Sequence, residues 1–172
     1  MKKLKKGEKG FTLIELLIVI AITGLVAGAI TMTVFQVFNM NTRTTNRMTA
    51  VRQVQQAGFW VSPDVQMAQS VNTTESSGFP LTLTWIEWGT NNTHTVTYNL
   101  TDMSGGLKKL QREHYINSDP APDSPYIVAE YIDPTGTSFV PAGNAYIFTV
   151  IATVGGESET REYEVQPRPE SL

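Results

Sequence analysis

The sequence predicts an α+β protein in which one long N-terminal helix packs on a mostly antiparallel C-terminal β-sheet. Three observations predict it. Residues 11–42 are almost wholly uncharged and largely apolar, with Glu15 as the single ionisable side chain. Apolar or small residues then recur at Val51, Val54, Gly58, Val61, Val65 and Ala68, spacings of three and four that mark one face of a helix. After Val71 that spacing gives way to alternating apolar and polar residues with Asn and Gly turn signals. A chain of 172 residues is the size of a single ordinary domain.

The first ten residues, MKKLKKGEKG, form a segment of their own. They hold five lysines and one glutamate, a net of +4 in a chain of formal charge −3, so the remainder carries −7. With only eight Lys and Arg, that remainder lacks the basic face nucleic-acid binding requires, and no nucleic-acid partner is expected of the globular part. The absence of cysteine excludes disulfides, thiolate zinc ligands and cysteine nucleophiles.

Residues 11–38 exceed the roughly 20 apolar residues that a helix needs to cross a bilayer core about 30 Å thick. Lysines before the run and acidic bulk after it predict a single pass through the cytoplasmic membrane, with the N-terminus inside and the C-terminal region outside. A secretory signal peptide fits poorly. The run is longer than an ordinary apolar signal region, it flows into a continuing helix, and a carboxylate stands near its start. A charge at the centre of a membrane helix costs about 2.5–3.5 kcal/mol, less near the interface, so Glu15 calls for a partner.

The octet Gly10-Phe11-Thr12-Leu13-Ile14-Glu15-Leu16-Leu17 resembles the prepilin-peptidase recognition sequence of type IV pilins and type II secretion pseudopilins. The resemblance implies cutting after Gly10, an N-methylated Phe11 as the mature N-terminus, and a Glu15 that serves assembly by pairing with the N-terminal amine of a neighbouring subunit. Chemistry agrees with this. A glycine lets a protease approach the backbone closely, and cutting frees an α-amino group that is largely cationic at neutral pH. The implied partners are prepilin peptidase, other pilin or pseudopilin subunits, membrane lipid before assembly, and indirectly an assembly platform protein and its ATPase. The implied function is a structural subunit, of the minor kind, in a type IV pilus or type II secretion pseudopilus.

Gly24 and Gly28 form a G-x-x-x-G pair that suits either close helix packing or local melting of the segment outside lipid. Beyond the membrane the helix is expected to continue through residues 39–71, giving a total length of about 85–90 Å. Ser62-Pro63-Asp64 combines an N-cap residue, a first-turn proline and an acid, and predicts a kink or a restart at Pro63. Phe59 and Trp60 are expected as core anchors. Gln55 to Val71 is similar to the helix end of J-type minor pseudopilins and W-type minor pilins, with Asp64 ahead of a small residue, Ala68.

Residues 72–172 are expected to be β-rich, with strands at 81–87, 94–99, 107–114, 127–132, 146–154 and 159–165. Asn91-Asn92, Ser104-Gly105-Gly106 and Gly155-Gly156 supply the turns. His94 and His114 lack metal-ligand spacing and are expected as surface strand residues. The loop Asp119-Pro-Ala-Pro-Asp123 has too few acids for a calcium loop. No nucleophile, base and orienting acid assemble into a catalytic site, so no enzyme, cofactor or metal is expected. The rival readings are a major pilin and a membrane-anchored binding protein that forms no filament.

Overall fold

The computed structural model describes residues 10–121 and 124–168. The lysine-rich residues ahead of Gly10, and Asp123 of the acidic loop, lie outside the described residues. The chain divides into two compact units, one up to Thr42 and the other from Arg43 onward.

Helix α1 (Leu13–Met67) starts in the first unit and ends in the second. In the first unit every described residue is exposed, including Ile14, Leu17, Ile20, Leu25, Val34 and Phe38. The segment is long and apolar enough to cross a membrane. Its threonines do not disturb the apolar surface: Thr23, Thr31 and Thr33 turn their hydroxyls back onto the carbonyls of Val19, Ala27 and Ala29 at 2.7–2.9 Å.

In the second unit the outer part of α1 buries Ala50, Val54, Ala57, Gly58, Val61 and Val65 against a curled antiparallel sheet. The strands are β1 (Ser70–Thr73), β2 (Leu81–Ile86), β3 (Thr93–Asp102), β4 (Lys108–Ile116), β5 (Asp119–Pro120), β6 (Tyr126–Ile132), β7 (Ser138–Ala142), β8 (Ala145–Val154) and β9 (Glu157–Val165). Their order is β1-β2-β3-β4-β6-β8-β7, with β5 against β4 and β9 against β8. Inward positions alternate along the strands, as in Leu81, Leu83 and Trp85 or Phe148, Val150 and Ala152. The α+β architecture read from the sequence is therefore the observed one.

Local differences have identifiable causes. The helix does not restart at Pro63 but runs through it to Met67, four residues short of Val71, and Ser70 already belongs to β1. Proline deprives the carbonyl of Phe59 of its helical donor. Both residues are exposed, so solvent can satisfy that carbonyl, while buried Val61, Asp64 and Val65 hold the turn in place. Ser62, expected to cap a second helix, makes no hydrogen bond through its buried Oγ. Trp60 does pack against the core, but Phe59 is 72% exposed and is no anchor.

The sequence reading also lacks β1, β5 and β7. Pro141 argues against a strand at 138–142, yet β7 pairs only with β8, and an edge strand tolerates a proline that donates no ladder bond. The β8–β9 hairpin closes through Gly155 and Gly156, whose φ values of 56° and 85° are the left-handed conformations of a two-residue turn.

Candidate assembly site

The start of α1 explains how a carboxylate is accommodated in an apolar helix. Glu15 Oε2 accepts from the backbone N–H of Thr12 at 3.1 Å and from its hydroxyl at 2.9 Å. In return the N–H of Glu15 donates to Thr12 Oγ1 at 3.3 Å. This reciprocal arrangement is a capping box, which satisfies backbone donors that a helix start leaves unpaired. Thr12-Leu13-Ile14-Glu15 carries the capping-box signature in plain sequence, which gives the carboxylate a partner within its own chain. Phe11, 84% exposed, and Gly10 precede this cap. Gly24 and Gly28 have open space where a Cβ would stand, leaving that helix surface flat enough for another helix to approach.

Residues 5–31 match the model of the prokaryotic N-terminal methylation motif. The N-terminus is that of a type IV pilin-like protein. The matched stretch contains the apolar start of α1, so the methylation signature and the membrane-length helix overlap over residues 13–31. Neither a curated protein nor a solved structure matches the chain.

A second constellation fixes the outer helix to its sheet. Asp64 is buried and accepts from Arg112 Nε at 2.8 Å and Arg112 Nη2 at 3.2 Å, while Tyr98 Oη donates to Asp64 Oδ2 at 2.5 Å. Tyr98 and Arg112 are register partners on β3 and β4, so one carboxylate of α1 ties two strands at once. The guanidinium also lies over the Trp60 ring, 5.3 Å from its centroid. Burial, and then the Asp64 charge, push the Tyr98 phenol well above its ordinary pKa.

His94 and His114 depart from their expected place on the surface. They are partly buried on β3 and β4, with His94 Nδ1 2.9 Å from His114 Nε2, and the Trp85 indole stacks on His94 at 5.2 Å between centroids. Among the described residues no three potential ligating side chains gather to hold a metal. Asp119 stands in β5 at the start of the acidic loop.

Proposed function

We propose that the chain is a filament subunit of the type IV pilus or type II secretion kind. Prepilin peptidase cuts it after Gly10, Phe11 becomes its N-methylated terminus, and Glu15 assists its assembly. The observation that carries this reading is the exposed apolar helix start, within the methylation-motif match at residues 5–31. So large an apolar surface demands either lipid or protein around it. Before assembly lipid covers it, with the lysines held in the cytoplasm and the sheet outside. After cutting, neighbouring helices replace the lipid.

Within this reading the capping box lets Glu15 reside near a membrane interface while the subunit waits. Cutting at Gly10 then supplies the amine of Phe11, a stronger charge-assisted donor for a carboxylate on an adjacent copy. The motif belongs to structural subunits, and the role proposed is structural. Likeness of residues 55–71 to minor subunits favours a minor role. The separation of charge between helix and sheet favours the second reading, a major subunit that meets its own copies.

The test combines two variants of the full chain. Gly10→Val should leave the leader attached, seen as an uncut N-terminus by mass spectrometry. Glu15→Ala should be cut normally yet enter sheared filaments at least tenfold less. A normal Phe11 terminus in the first variant, or undiminished incorporation of the second, would refute the assigned roles.

A further inference from the structure

Helix α1 has a second surface that its own sheet leaves uncovered. Met48, Arg52, Gln55 and Phe59 follow spacings of four, three and four, and all are exposed. They lie on the side opposite the buried Ala50, Val54, Ala57 and Val61. Arg47 and Arg52 rim a shallow groove floored by Met48 and Val51. Arg43, Arg47 and Arg52 have no acid between them and Asp64, and among the described residues none forms an ion pair.

The sheet carries the opposite charge. Residues 72–172 hold thirteen acids and five bases, a net of −8. On β9, Tyr163 and Val165 turn toward the helix, and alternation sends Glu162 and Glu164 to the other face, where both are exposed. There Glu164 stands in register with Ile147, and Ile147 with Val140, both half-buried. An apolar row edged by carboxylates thus matches an apolar groove edged by guanidiniums. Two copies meeting sheet to sheet would repel each other, whereas helix to sheet they attract.

We infer that the arginine-rimmed face of α1 in one subunit docks on the outer β8–β9 face of a second copy of this chain, with Arg52 meeting Glu162 and Glu164. This inference rests on the filament reading in the form where the subunit meets its own copies, and adds to it a contact outside the apolar helix. Such exposed pairs are screened over roughly 8 Å at physiological salt, so the contact should loosen as salt rises.

Because the chain has no cysteine, introduced ones report cleanly. Two differently tagged full-length copies are made in the same cells, one with Gln55→Cys and the other with Thr160→Cys. Ile18→Cys in a parallel pair reports contact between the apolar helices. A 55–160 disulfide between copies is expected. Arg52→Glu in the first copy should lower its yield at least fivefold, and Glu162→Lys with Glu164→Lys in the second should restore it. An 18–18 disulfide without the 55–160 one, or a 55–160 yield indifferent to both charge reversals, overturns the docking and leaves the filament reading standing. A crosslink from the Gln55→Cys copy found only on a different pilin also overturns it. Loss of both disulfides overturns the docking too, and the sheared-filament test of Glu15→Ala then decides the filament reading on its own.

Discussion

Asp64 illustrates how one residue can decide whether a helix and a sheet stay together. It lies on the buried side of α1, and both its oxygens accept hydrogen bonds from Arg112 or Tyr98. Asp64→Ala would leave a guanidinium buried without its countercharge, at an expected cost of about 3–5 kcal/mol, measurable as a lowered melting temperature. Tyr98 adds a pH dependence with a definite sign. Its folded pKa lies above the unfolded value of about 10, so its contribution is whole below that pH and declines as pH rises beyond it. Tyr98→Phe should be less stable at neutral pH by about 1.5–3 kcal/mol, having lost a hydrogen bond to a charged group, yet lose less further stability between pH 10 and 11. Circular dichroism melts across that range would check both slopes. The sequence held part of this. Alternation along β4 puts Leu110 and Arg112 on one inward face, and an inward arginine demands an acid. What one-dimensional spacing could not supply was the identity of that acid, because Asp64 sits 48 positions away and reads equally well as the first acid of a new helix.

At the scale of elements, α1 and β9 fit through a glycine. A Cβ at Gly58 would fall 2.1 Å from Tyr163 Cζ, and Tyr163 is held there by its hydroxyl donating to Val54 O at 3.0 Å. Gly58→Ala gains up to about 1 kcal/mol of helix propensity. It forces the ring aside at a cost of about 1–3 kcal/mol, so a net loss of up to about 2 kcal/mol is expected in denaturant titrations. Gly58 already stood out in the apolar stripe, but only the strand lying across it explains why a glycine occupies that position. The elements most legible in the sequence were those with a clean period, such as β2 and β8. Pro63 suggests a break and Pro141 sits within a strand, and the fold tolerates both for a shared reason: each is exposed or at an edge, where the missing donor costs little, and sequence alone does not reveal exposure.

For the whole molecule, two materials are joined in one chain: an apolar helix start whose single ionisable side chain is Glu15, and an acidic sheet, with a short basic stretch of helix following Thr42. The apolar start and the pilin-like motif were readable because they are local. The docking faces were not, because Arg52 and Glu164 acquire meaning only when the fold turns both outward.

Tyr163 bonding to Val54, and the Arg168 N–H donating to Ala68 O at 3.2 Å, place the final described stretch along the helix made much earlier in synthesis. The valine-lined side of that helix therefore waits, bare, for nearly all of the chain to be made. A prematurely stopped product keeps this greasy flank open to chaperones and proteases, so only a finished chain conceals it. The order of the polypeptide thus makes an unfinished molecule distinguishable from a finished one by the flank it leaves bare.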